Sequence, residues 1–263
     1  MKYVLFPLTL SAAILAAPSF ADTYQTEVSA GYADHTDSHD ADVTSLGAKV
    51  YLNPVSTDNG PYELNGFLSH SSYLQAGMGF NHNLDTYSIG GRLVTSGDLV
   101  LGAHYENFDF DHFKDADSYG IEAGGYLNDG TLLTGYYNRL DWSPFDADTW
   151  GARIKSYNPL VGDTGLLLKA DINNTNVDRA ADVFSASVGA DYFYSKQWST
   201  GLAVDYINTK DDAVAYLING TNDTTYYANT SYWFNPRANV SVGVNKTSGE
   251  DGMGWAVKAA YRF

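Results

Sequence analysis

The last ten residues, Gly254 to Phe263, alternate without a break. Trp255, Val257, Ala259, Tyr261 and Phe263 share one parity. Gly254, Ala256, Lys258, Ala260 and Arg262 share the other. Successive side chains of a strand point to opposite faces. The stretch therefore reads as a strand with one apolar, aromatic face and one small, cationic face. A soluble edge strand lying over an ordinary core can carry the same pattern. What separates the two readings is that the alternation runs to the final residue, and that residue is Phe263.

A terminal strand of this kind resembles the sorting signal of bacterial outer-membrane barrels. The resemblance makes Trp255, Val257, Tyr261 and Phe263 the expected barrel-assembly signal and the barrel-assembly machinery an expected partner. The other end of the chain agrees. Met1-Lys2-Tyr3 is a short charged start, Val4 to Ala17 is apolar, and Ser19 and Ala21 are small residues at the −3 and −1 positions. That pattern is expected of a secretory signal peptide, residues 1–21, cleaved after Ala21. The apolar run is too short for a spanning helix, which needs about 20 residues. Residues 22–263 are then one outer-membrane barrel domain, with no linker and no change of composition.

Cysteine is absent, so disulfides do not hold this exported chain together. Lys and Arg number 15 against 31 Asp and Glu, a net charge of −16, and nucleic acid is not an expected partner. Glycine (25) and tyrosine (21) are frequent and proline (7) is scarce, which suits many strands joined by tight turns. A hydrophobic content of 44% is too high for a disordered chain.

From Asp22 onward one grammar repeats: an alternating segment, a polar break, another alternating segment. Leu46-Ala48-Val50-Leu52, Leu99-Leu101-Ala103-Tyr105, Leu166-Leu168-Ala170-Ile172 and Val240-Val242-Val244 are examples. Tyr62 to Phe80 is too long for one regular strand, and its alternation slips near Ser69 to Ser72; it is expected to be one strand with a bulge, which changes the facing parity. Short breaks (95–98, 128–130, 194–197, 235–238) take turns with longer acidic ones (34–41, 109–117, 141–147, 174–181, 208–222, 248–252). Short turns at one rim and long loops at the other mark a transmembrane barrel, and bacterial single-chain barrels have even strand numbers. The expected fold is all-β: an antiparallel up-and-down transmembrane barrel of 14 strands, with 12 or 16 as the neighbouring even counts. A secreted β-sandwich is the soluble alternative.

If the apolar parity faces lipid, charges on spanning strands must face the lumen, because Arg or Lys at the bilayer midplane costs about 2–4 kcal/mol. The expected pore-lining residues are Lys49, Arg92, Glu106, Glu122, Arg139, Arg153, Lys155, Lys169, Asp171, Asp191, Asp205, Lys258 and Arg262, with Glu27 beside them. Arg139, Arg153, Lys155 and Lys169 crowd strands seven to nine, whereas Glu27, Asp191 and Asp205 fall on another arc. Two readings stay open: basic wall facing acidic wall across a pore, or salt bridges that plug it. Inward Tyr137, Tyr227 and Trp233 would meet in a closed barrel.

Other chemistry is weakly signalled. Asp34-His35-Thr36-Asp37-Ser38-His39-Asp40 has ligand-like spacing, but a flexible acidic loop carries the same residues, and no metal or other cofactor is expected. His82 and His112 fall in expected loops. Ser69, His70, Ser71 and Ser72 are adjacent, and strand neighbours alternate faces, so they make no catalytic triad. Asp109, Asp111 and His112 could form an acid cluster at the rim, but no Gly-x-Ser-x-Gly elbow occurs and no enzymatic activity is expected.

Tyr51-Leu52-Asn53-Pro54-Val55-Ser56-Thr57-Asp58-Asn59-Gly60-Pro61, followed by Phe67-Leu68, resembles the small porins of Gram-negative gammaproteobacteria. That family pattern often has a basic residue just after Phe-Leu; here the nearest candidate is His70. The resemblance implies location in the cell outer membrane, contact with membrane lipid and lipopolysaccharide, and passive diffusion of small hydrophilic solutes or ions. The alternative is a closed structural or surface-binding barrel that works through its acidic extracellular loops.

Overall fold

The computed structural model describes residues 22–36, 42–111, 114–143, 145–178, 182–209 and 222–263. The leader expected over residues 1–21 lies outside them, as do Asp37, Ser38, His39, Asp40 and His112.

Fourteen antiparallel strands close on themselves. They are β1 (Thr23–His35), β2 (Val43–Ser56), β3 (Tyr73–Phe80), β4 (Leu84–Val94), β5 (Leu99–Phe110), β6 (Ala116–Asn128), β7 (Thr131–Trp142), β8 (Phe145–Pro159), β9 (Gly165–Val177), β10 (Val183–Phe193), β11 (Trp198–Thr209), β12 (Asn222–Asn235), β13 (Ala238–Thr247) and β14 (Gly254–Arg262). Each strand pairs with its neighbours in sequence, and β14 pairs with β1. Phe263 completes the seam: its N–H donates to the Thr26 carbonyl (2.8 Å) and its own carbonyl accepts from Gln25 (2.7 Å). Closure pairs every strand edge, which a spanning sheet requires in a solvent that offers no hydrogen bonds.

The apolar parity faces outward. Leu202 is 69% exposed, Ile121 60% and Val188 60%. In a soluble barrel these residues would be the core. Aromatics of the same parity gather in two belts. One, toward the loop rim, contains Tyr32 against Trp255, Tyr105 against Tyr119, and Tyr137 against Trp150. The other, toward the turn rim, contains Tyr192, Tyr194 and Trp198 in succession, Tyr232 against Phe234, and Tyr261 against Phe263. Amphipathic rings settle at the two membrane interfaces. The side chains of the terminal signal Trp255, Val257 and Phe263 stand in this outer surface, while Tyr261 is packed within it.

Two expectations are corrected. Tyr62 to Phe80 is not one bulged strand: Tyr62–Leu64 is a 3-10 turn, Asn65–Leu68 a short helix (α1), and only Tyr73–Phe80 is strand. The slip in alternation marked the end of strand pairing rather than a bulge. The segment 57–72 therefore belongs to the turn rim, and it folds into the barrel. The strand total is unchanged.

The acidic breaks are also shorter than expected. The β7–β8 ladder continues through Asp141↔Asp146 to Trp142↔Phe145, and β9 runs to Val177. Above the lipid both faces of a strand meet water. The hydrophobic alternation stops there although backbone pairing continues.

Candidate functional site

The lumen is the only face on which the strands present charge to a shared interior. Of the expected pore-lining residues, Lys49, Arg92, Glu106, Glu122, Arg153, Lys155, Lys169, Asp171, Asp191, Asp205, Lys258 and Arg262 lie on the inward parity. Arg139 does not. It pairs in register with Tyr119 and Asp148 on the outward parity, near the loop rim, and its guanidinium contacts Asp141 (2.6 Å), Asp146 (3.0 Å) and Asp148 (3.3 Å). Three carboxylates hold it above the lipid, so it avoids the midplane cost that argued for an inward position. Tyr137 is likewise outward, with its hydroxyl on Asp148, while Tyr227 and Trp233 face in.

Four of the inward bases are neutralised locally. Arg92 grips Glu122 with two bonds, 2.6 and 3.0 Å. Arg153 meets Asp171 at 2.8 Å, and Tyr136 donates to the same carboxylate. Lys169 meets Asp191 at 2.7 Å on the next strand. Arg262 meets Glu27 at 2.7 Å across the seam. Asp205 accepts from Ser187. A basic wall facing an acidic wall is thus not what forms, because Glu122, Asp171, Asp191 and Glu27 each sit within one or two strands of a base. The salt bridges lie along the wall and do not cross the lumen.

Inward glycines make that possible. A methyl group at Gly102 would stand 2.6 Å from the Glu122 carboxylate stem, and one at Gly120 would collide with the His104 ring and Asn138. Gly151 receives Tyr136 in the same way, and Gly201 receives Asp191 and Asn229. Each glycine leaves a slot on the pleated wall into which a neighbour's polar side chain lies down. The charged and aromatic groups therefore run along the wall instead of projecting across the bore.

The recesses that result adjoin one another. One of about 460 Å³ (Tyr136, Arg153, Lys169, Asp171) shares Lys169 with one of about 440 Å³ lined mainly by β12–β14. The latter shares Asn229, Gly243 and Ala256 with a third of about 470 Å³ that continues toward the loop rim.

At the turn rim the inward segment crosses the bore. Arg262 donates to the Tyr62 carbonyl (2.7 Å), Tyr62 N–H donates to the Lys196 carbonyl (2.9 Å), and Ser199 donates to Glu63 (2.9 Å). Tyr126 donates to the Phe67 carbonyl (2.9 Å), and Lys155 caps the Phe67 ring. Leu64 packs on Leu167 and Phe193. β6 and β14 are nearly opposite in the closed order, so these contacts reach across the diameter.

Leu64 and Leu68 of the segment join Leu167, Phe193 and Tyr157 of the barrel in one apolar cluster, and Tyr24, Tyr51 and Val55 form another. Burial pushes the Glu63 carboxyl above its ordinary pKa. The Ser199 hydrogen bond opposes that shift, Asp191 adds to it, and Lys155 and Lys169 oppose it.

His70 ends the segment in a left-handed backbone (φ 46°), stacked on Tyr126 at 3.6 Å with Nδ1 2.7 Å from Asp98. It occupies the position where the family pattern often has a base, and it anchors a turn there rather than lining the wall of a strand. Ser69, Ser71 and Ser72 lie in the same turn with no nucleophile–base pairing to it. His35 belongs to β1 and approaches Glu250 at 3.9 Å.

Charge-based reading of the sequence missed two groups. One is the segment Tyr62–His70, which the broken alternation and Pro61 could have exposed as non-strand. The other is the neutral inward set Asn229, Ser231, Asn239, Ser241 and Asn245, which strand parity alone identifies.

The family described as "Putative general bacterial porin" matches residues 1–141. No curated protein matches the sequence. Among solved structures, the Acinetobacter baumannii outer membrane protein Omp33 is 21% identical, with 92% of this chain and 99% of that chain covered at a TM-score of 0.69. A bacterial polysaccharide outer membrane secretin is 10% identical, with 91% and 99% covered at a TM-score of 0.56. At such identities the likeness is one of fold.

Proposed function

This chain belongs to the general bacterial porin family and is an outer-membrane porin that passes small solutes, and from that premise we propose how its lumen conducts. Small hydrophilic solutes and ions diffuse passively between flattened walls, then through whatever gap the segment 57–72 leaves at the turn rim. The observation that carries this reading is the set of inward glycine slots, which hold Glu122, His104, Tyr136 and Asp191 against the wall. A barrel built to be solid would have no use for them. Selectivity by charge is weak, since four of the inward cations each face a carboxylate within 2.8 Å. No bond is made or broken in this mechanism.

The turn rim is periplasmic and the loop rim external, as short turns and longer loops are arranged in such barrels. The acidic loop rim would meet lipopolysaccharide through divalent cations, and β14 would be the strand handed to the barrel-assembly machinery.

One observation favours the rival reading, a closed barrel that works through its loops: the segment 57–72 is bonded to both sides of the wall. Planar-bilayer recording of the refolded protein decides between them. Discrete steady openings support diffusion. Silence from a folded, heat-modifiable barrel overturns it.

A further inference from the structure

Four inward ion pairs cancel along the wall: Arg92 with Glu122, Arg153 with Asp171, Lys169 with Asp191 and Arg262 with Glu27. The inward charges that remain are sorted by height. Among the described residues, Lys49, Lys155 and Lys258 have no carboxylate within 4.0 Å, and Glu106 and Asp205 have no base within that distance. The Lys49 ammonium stands 4.6 Å from the ring centroid of Tyr73, where β3 leaves the turn rim. Lys155 reaches the Phe67 ring of the inward segment at 4.5 Å. Lys258 lies on the turn side of Trp255, which belongs to the loop-rim aromatic belt. Glu106 lies just on the loop side of Tyr105 in that same belt, and Asp205 lies in the loop-side half of β11. Glu63 adds an acid to the turn-side half, where its carboxylate accepts from Ser199. It offsets one of the three lysines and leaves an excess of positive charge there.

The levels of Glu106 and Lys258 differ by roughly four residues of tilted strand, a rise of about 10 Å. The Debye length is about 10 Å in 0.1 M salt and about 3 Å in 1 M salt. In dilute salt each set of charges therefore governs the ions beside it, as rings of charged side chains do in pores, and in concentrated salt it is screened. With the loop side positive, potassium enters past Glu106 and Asp205 while chloride enters past Lys49, Lys155 and Lys258. Both run toward the boundary between the two zones and accumulate there. With the polarity reversed, both are drawn away and the boundary is depleted of carriers.

We propose that the lumen is a bipolar pore that rectifies ionic current. Glu106 and Asp205 set a cation-attracting zone on the loop side, and Lys49, Lys155 and Lys258 set an anion-attracting zone on the turn side. The proposal deepens the porin reading and rests on it. Net selectivity stays weak because the two zones oppose one another in series; what they set is the direction of easier flow.

Single-channel current–voltage curves in potassium chloride, near neutral pH, test it channel by channel, whichever way each barrel has inserted. In about 0.1 M salt the currents at opposite polarities of about 100 mV should differ by about 1.5-fold or more, and in about 1 M salt the ratio should fall to roughly one. Glu106→Gln with Asp205→Asn should bring the low-salt ratio close to one and shift the reversal potential under a salt gradient toward anions. Lys49→Gln with Lys258→Gln should also flatten the curve but shift the reversal potential toward cations. A general loosening of the barrel would not move the two pairs in opposite directions. Asp205→Asn keeps an oxygen for the Ser187 hydroxyl, and all four positions are off the outward parity, so heat-modifiability should be retained in both double variants. Arg139→Gln, outside the lumen, should keep the ratio. A symmetric low-salt curve from an open channel, or a ratio unchanged in either double variant, overturns the bipolar pore and leaves diffusion standing. Silence from a folded, heat-modifiable barrel overturns both.

Discussion

The guanidinium of Arg262 stands over the indole of Trp233, 3.9 Å from the ring centroid, and over the Tyr24 ring at 4.3 Å. It is 3% exposed, bonded to Glu27 and to the Tyr62 carbonyl. One side chain thereby ties together β1, β12, β14 and the inward segment. Cation–π contacts of this kind reach about 2 kcal/mol when desolvated. Removing one partner of a buried ion pair costs about 3–5 kcal/mol, because the other charge is left uncompensated. Arg262→Met should therefore lower the unfolding free energy, read from urea titration of the heat-modifiable form, by an amount in that range. Arg262→Met paired with Glu27→Gln should recover part of the loss.

Gly120 should govern the width of the bore along β6. Any side chain there evicts His104 and Asn138 from their slot. Gly120→Ala is expected to lower single-channel conductance, with an overpacking cost of about 1–3 kcal/mol. Gly120→Ala with His104→Ala should restore conductance. If the single variant conducts normally while folded, the slots do not set the bore.

Arg139 should be silent in transport. It lies outside the lumen among exposed carboxylates, where solvent screens the pairs. Arg139→Gln is expected to leave conductance and reversal potential unchanged. Arg153→Gln, which frees Asp171 in the lumen, should shift the reversal potential toward cation preference.

Acid should tighten the docking of the inward segment. The Glu63 pKa is raised above 4.5 when docked, so the docked state takes up the proton more readily than the free one. That contribution is complete below the ordinary value and is lost as pH rises through the raised one. Asp191, Lys155, Lys169 and Ser199 face Glu63 from the wall. Conductance should fall as pH is lowered from neutral toward 4. Glu63→Gln should flatten that fall, and an identical pH profile in the variant would count against it.

The sequence by itself determined the architecture. Period-two alternation makes strands, lipid on one side and water on the other assigns their faces, and closure of an all-antiparallel up-and-down sheet makes the strand number even. All of this is local or follows from the solvent. Hence the strand number, the outward Trp255, Val257 and Phe263, and the inward Arg92 and Lys258 were legible from parity alone. Arg139 was misread because the apolar Leu132 and Tyr136 of β7 face inward, so the lumen parity of that strand was taken for the lipid one, and Arg139 itself sits near the loop rim, where the cost that sorts charges no longer acts. What only the tertiary structure decided is which side chains meet. Arg92 finds Glu122 two strands away, Arg262 finds a helix turn 200 residues earlier, and Glu122 and Asp191 lie in slots opened by glycines on other strands. These are contacts between neighbours in a closed sheet, set by register and stagger around the ring. No window of sequence contains both partners, so whether the lumen is filled or hollow was not written in any one strand.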